Sequence, residues 1–333
     1  MIWLWSGLFL VAAGGAMQGS FALPQKFIRG WAWEKTWLIY SIFGMIVFPW
    51  LVVGASIPQA TEVYANVSGD VLARTALFGF GWGVGSVLFG LGIARVGMAL
   101  GFAIIVSVAA SVGSLVPLAV LHPDEVISRR GGLLILGLAL ITLGLIFFGR
   151  AGSRKEASGG QLPASNAHRG IAICIASGIL SSLMNFSFVF GQPIATEAVQ
   201  RGADPGSASI AIFAVAVTAG FVANAGYCLY LLLRNESWAR RHGQPRLRNT
   251  SCALAMGLLW LFGYFFYGHG ITKLGEFGTA LGWPLFMILM VLVANVWGLV
   301  TGEWRAADRL AFRYRCYGMG VVLAALVVVA AGT

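Results

Sequence analysis

Trp82-Gly-Val-Gly85-Ser-Val-Leu-Phe89-Gly90-Leu-Gly92-Ile93-Ala-Arg95-Val-Gly97 returns 178 positions later as Trp260-Leu-Phe-Gly263-Tyr-Phe-Phe-Tyr267-Gly268-His-Gly270-Ile271-Thr-Lys273-Leu-Gly275. Six positions are identical, and Phe89/Tyr267, Arg95/Lys273 and Val96/Leu274 are close substitutes. One plan is therefore used twice along the chain. A second match, Met17-Gln18-Gly-Ser20-Phe21-Ala-Leu-Pro24-Gln25 with Met184-Asn185-Phe-Ser187-Phe188-Val-Phe-Gly191-Gln192, has a spacing that differs by eleven residues, which loop lengths absorb.

The medium in which this plan operates follows from composition. Of 333 residues 58% are hydrophobic and 10% charged, and the mean hydropathy is positive; a soluble domain carries about 25% charged residues. The apolar runs average about 20 residues, the helical length that crosses roughly 30 Å of hydrocarbon, and they lack the period-two alternation of a membrane barrel. The expected fold is an all-α membrane protein with ten transmembrane helices, at 3–23, 37–57, 72–93, 96–120, 131–149, 169–191, 207–233, 252–272, 278–301 and 314–332. The polar, glycine-rich stretch 150–168 reads as a linker between a first five-helix repeat, 1–149, and a second, 169–333.

Five crossings separate the copies, so the second repeat is expected to lie inverted relative to the first. Basic residues orient the whole. The connections after spans 1, 3, 5, 7 and 9 hold 17 of the 22 Lys and Arg residues, which places them in the cytoplasm and both termini outside. No Lys or Arg precedes the first apolar run, so it is expected to be a retained helix and not a cleaved leader. Cationic helix ends beside an anionic leaflet account for the net charge of +10 without a nucleic acid partner. Cys174, Cys228, Cys252 and Cys316 are widely spaced and lack histidines at ligand spacing, so they read as packing residues; no metal and no cofactor is expected. The 45 glycines, about twice the usual share, let helix backbones approach in lipid. Pro49, Pro117 and Pro284 fall inside spans, where each removes a backbone hydrogen bond.

Inverted repeats give two conformations related by exchange of the halves' roles, with a solute held near the midplane where they meet. Polar side chains at membrane depth mark that place. Gln18 and Gln25 are seven apart, on one stripe of a helix; Asn185 and Gln192 repeat the stripe. Amides supply both donors and acceptors and suit a neutral polyhydroxylated solute; they also serve simply to join helices. Trp82, Gly85, Ser86 and Phe89 share one face, as do Trp260, Gly263, Tyr264 and Tyr267; aromatic planes can stack on the apolar face of a sugar ring, though such stripes more often pack against helices or lipid. Asn224, Trp283 and Asn295 are further candidates for the cavity. For proton coupling the candidates are Glu276 and His269, seven residues apart at the outer mouth of span 9, where burial would shift a carboxylate; a solvated mouth beside Lys273 is the plainer reading.

These residues resemble the L-rhamnose-proton symporters of the drug/metabolite transporter superfamily. The likeness runs through Trp31-Ala-Trp33-Glu34 with Trp37, Phe78-Gly79 with Trp82-Gly83 and Gly85, Gly97-Met98, Gly202-Ala-Asp204-Pro205, Asn224 with Gly226 and Cys228, Trp260 with Phe265-Phe266-Tyr267, and Glu303-Trp304. The resemblance implies two inverted five-helix units that import a deoxy-sugar with protons across a bacterial inner membrane. Leu23-Pro24-Gln25-Lys26 and Gly275-Glu276-Phe277-Gly278 depart from the enteric pattern, which bears on the sugar and on the coupling ion. Two other readings stay open: a carrier or exporter of another polar metabolite, and an intramembrane enzyme on lipid-linked sugars, against which stands the absence of HExxH and GxSxG.

Overall fold

The computed structural model describes residues 2–96, 98–158, 167–236, 246–275, 278–305 and 307–331. Among these described residues ten helices are long and apolar enough to cross a membrane: spans 1 to 10 are Trp5–Phe27, Trp33–Ser56, Gly69–Val96, Leu100–Leu121, Arg129–Lys155, His168–Gln200, Ser209–Arg234, Arg246–Lys273, Ala280–Val300 and Arg309–Ala330. No strand occurs among the described residues. The chain is a multi-pass membrane protein.

Where the helices begin and end departs from the hydropathy reading for local reasons. Span 2 starts at Trp33 because Glu34, an acid in the first turn where the helix dipole favours it, is buried in the bundle and not left in a loop. Span 10 starts at Arg309, capped by Asp308, whose side chain accepts the Ala311 N–H at 2.6 Å. Arginines at 309 and 313 hide that start from an apolar count, which places it at 314. The helix of span 5 runs on to Ser158, so the first part of the expected linker is helical; residues 159–166 lie outside the described ones. Basic side chains in its last turns complement the carbonyl end, and Arg154 reaches the Asp308 cap at 2.8 Å.

Three spans are interrupted. In span 1 the α-helix ends at Ser20 and a 3-10 turn, Leu23–Phe27, follows with Pro24 near its start. Span 6 breaks at Gly191 and resumes as Gln192–Gln200, with Pro193 in its first turn. Span 2 widens into a π-helix over Ile42–Val47, where the Phe48 N–H bonds to the Phe43 carbonyl, before Pro49 opens the next helical stretch. One extra residue per turn takes up the register lost where proline has no N–H. Pro117 and Pro284 sit within continuous helices.

The packing crosses between halves of the sequence. Span 6 lies along spans 3 and 4, and span 1 lies along spans 8 and 9; spans 2 and 7 pair on one side, spans 5 and 10 on another. Small residues set these approaches. Gly79 and Gly83 of span 3 lie on Ala216 and Gly220 of span 7, Gly14 of span 1 on Gly263 of span 8, and Gly44 of span 2 on Gly257 of span 8. Without water to drive apolar surfaces together, close backbone contact supplies the dispersion energy that holds such pairs. A Cβ at Gly83 would overlap the Gly220 carbonyl, whereas one at Gly90 meets nothing within 4 Å. Gly83→Leu should therefore destabilise the protein by roughly 1–3 kcal/mol or more through overpacking, seen as a lower unfolding temperature in detergent, while Gly90→Leu leaves it unchanged.

Candidate functional site

At the centre of the bundle, where spans 1, 2, 3, 6, 7, 8 and 9 meet, an aromatic column takes the place of aliphatic packing. Trp82 of span 3 stacks on Trp260 of span 8, centroids 5.5 Å apart and planes 29° apart. Trp260 also meets Tyr40 edge-on at 6.0 Å, Phe213 at 5.3 Å and Tyr264 at 5.3 Å. Tyr264 lies parallel to Phe188 and stacks on Phe213. Phe286 then links Tyr264 to Tyr267 and Trp283. The face shared by Trp260, Tyr264 and Tyr267 on one helix thus continues into five others.

Polar groups in this column are engaged unequally. Asn185 is fully buried; its Nδ2 donates to the Gly113 carbonyl of span 4 at 2.8 Å, and its Oδ1 accepts from the Tyr267 hydroxyl. Trp283 donates to the Ala109 carbonyl at 2.9 Å. Asn224 of span 7 accepts from the Trp37 indole at 3.3 Å and the Ser86 hydroxyl at 2.8 Å, and donates to Gly220. Gln18 differs. It is 7% exposed, lies against Gly263, and its buried Oε1 has no hydrogen-bond partner among the described residues. Ser41 Oγ and Ser114 Oγ share that condition. An orphaned acceptor in a dry interior costs about 1–3 kcal/mol, so it needs a reason to persist.

The structure thus brings together Gln18, Trp82, Asn185, Trp260, Tyr264, Tyr267 and Trp283. It separates the rest. The amide stripe does not extend to Gln25, which sits in the 3-10 turn beyond the end of the first helix and is only half-buried. Gln192 lies past the Gly191 break, is exposed, and donates to its own helix at Phe188. Asn224 reaches the column's edge through Ser86. Asn295 lines a separate cleft of about 230 Å³ between spans 4, 5 and 9. His269 packs against Gly206, hydrogen-bonded to its backbone, with Lys273 and then Asp204 as charged neighbours; Glu276 lies outside the described residues. Tyr40, Phe188 and Phe213 were not picked out by spacing. Tyr40 carried the one available signal, a polar-tipped aromatic within an apolar run.

Charges sit at the two ends of the bundle. At one end Arg201 pairs with Glu197 at 2.8 Å and with Glu62, and these bonds, Glu197 first, raise its affinity for its proton further. At the other, Lys26 pairs with Glu303 and Arg154 with Asp308. The Ala311 N–H, then Arg154, hold the Asp308 carboxyl below its ordinary range. That contribution is complete above the unfolded value, near 4, and fades as the pH falls through the folded one.

A family model described as L-rhamnose-proton symport protein (RhaT) matches residues 3–333. Proteins named L-rhamnose-proton symporter are similar over nearly the whole length. One from Mannheimia succiniciproducens is 27% identical over 334 residues, covering 98% of this chain and 97% of its own. Those from Escherichia coli O1:K1 / APEC and Shigella dysenteriae serotype 1 are each 28% identical with the same coverage.

The Asn185 bonds tie span 6 to spans 4 and 8. Tyr267→Phe removes one donor to Asn185 while keeping the ring, and should lower stability by about 1 kcal/mol, measured as a drop in the unfolding temperature of the purified protein.

Proposed function

The chain belongs to the L-rhamnose-proton symport protein (RhaT) family, and from that membership we propose that it imports a neutral deoxy-sugar, L-rhamnose, with protons across a bacterial inner membrane. The observation that carries the site is the buried Gln18 Oε1 without a partner, set beside a stack of indoles and phenols. A sugar hydroxyl donates to such an acceptor, and the apolar face of the ring stacks on Trp82, Trp260 or Tyr264. Asn185 and Tyr267, already bonded to each other, would form the rigid wall behind it.

The two halves would work as inverted repeats. Exchange of span n with span n + 5 turns the contact of span 6 with spans 3 and 4 into that of span 1 with spans 8 and 9, and maps the pairs 2·7 and 5·10 onto themselves. This pattern supports two bodies, spans 3, 4 and 6 against spans 1, 8 and 9, rocking about the aromatic column so that the site faces each side in turn. With Lys and Arg concentrated after spans 1, 3, 5, 7 and 9, both termini would lie outside. The proton would be handled at the outer mouth, by His269 set between Lys273 and Asp204, with Glu276 nearby in sequence.

Purified protein in liposomes should accumulate labelled L-rhamnose only when the outside is more acidic than the inside; no accumulation in either direction of the pH difference would refute the reading. Gln18→Leu should lower uptake about tenfold, the value of one hydrogen bond of about 1.4 kcal/mol. It should also leave the unfolding temperature unchanged or raised, because it removes an unsatisfied acceptor. His269→Gln should abolish accumulation against a gradient while sparing exchange of labelled for unlabelled sugar. Thermal shifts over a panel of sugars, nucleosides and amino acids separate this solute from others, since a ligand stabilises the state it binds.

A further inference from the structure

The cleft of about 230 Å³ between spans 4, 5 and 9 lies apart from the aromatic column, at the end of the bundle where the arginine-rich connections gather. Its wall is mostly apolar, with Phe102, Leu145, Phe148 and Val291 among its members. Such a wall does not suit a sugar: the Asn295 amide already donates to its own helix at Val291, and Glu303 is engaged by Lys26. Part of an acyl chain fits it instead.

Trp304 closes one side of the cleft, and two cations lie against its ring. The Lys155 ammonium is 5.1 Å from the indole centroid and the Arg315 guanidinium 5.3 Å. Arg315 is 3% exposed, donates to the Asn295 carbonyl at 3.3 Å, and its Nε has no partner among the described residues. Neither cation has a carboxylate within 4.0 Å among the described residues. Indole faces attract cations, but two positive charges on one ring repel, and a buried guanidinium with an unused donor is costly. An anion at Lys155 would offset the repulsion between the two cations, and the apolar wall that Lys155 and Trp304 share with the cleft continues directly from it.

We infer that this cleft binds an anionic phospholipid, its phosphate held by Lys155 at Trp304 and one acyl chain lying along Phe102, Leu145, Phe148 and Val291, with the buried Arg315 adding positive charge from behind the indole. The bound lipid would wedge span 5 against spans 4 and 9, on the side of the bundle away from the solute site. Loss of the lipid would loosen the contact of spans 5 and 10 with the rest.

The full-length protein, purified in mixed micelles of equal phosphatidylglycerol and phosphatidylcholine and stripped by detergent exchange, tests this by native mass spectrometry. Phosphatidylglycerol should be retained at least tenfold over phosphatidylcholine, and Lys155→Gln and Trp304→Phe should each reduce that retention several-fold. Phosphatidylglycerol with brominated acyl chains should quench more fluorescence in the parent than in Trp304→Phe. Equal retention of the two lipids, or an undiminished preference in both variants, would overturn the assignment. Lys155 is half-exposed, so its replacement leaves folding intact even if Arg315→Gln does not. Sugar uptake does not enter the measurement, so the outcome is independent of the transport reading.

Discussion

In hydrocarbon each polar atom must find its partner inside the protein, and the architecture here follows from where that demand is met and where it is not. Helices answer it for the backbone. Side chains answer it by reaching between helices: Asn185 to Gly113, Trp283 to Ala109, Ser177 to Gly85, Trp297 to Ser20. Each of these bonds fixes a crossing that glycine packing alone would leave free to slide. Among the four buried side-chain atoms without a partner in the described residues, Gln18 Oε1, Ser41 Oγ, Ser114 Oγ and Arg315 Nε, Gln18 is the one carried on the amide stripe.

Much of this was legible in the sequence because hydrocarbon thickness imposes a length that composition reveals. All ten spans were visible as apolar runs, and the faces of Trp82 and of Trp260, Tyr264 and Tyr267 were visible through helical spacing. Helix ends were not. Glu34 and the arginines at 309, 313 and 315 look like loop residues to a hydropathy count, yet Glu34 and Arg315 are buried by neighbouring spans that no local window contains. The amide stripe failed for a related reason: seven residues make two turns only if the helix is continuous, and both copies break, one after Ser20 and one at Gly191. Tyr40 escaped notice because it joins the column from span 2, through a tertiary contact with Trp260.

The two copies of the repeated segment match in sequence without being chemically equal. Asn185 aligns with Gln18, and Tyr267 aligns with Phe89. In one copy a phenol donates to the amide; in the other a phenyl ring, packed edge-on against Phe102, has nothing to donate. Asn185 is thus satisfied by protein, whereas the Gln18 oxygen has no partner among the described residues. The proposed solute site uses that inequality: Asn185 is a strut already bonded to protein, and the Gln18 oxygen is the acceptor that a sugar hydroxyl would fill.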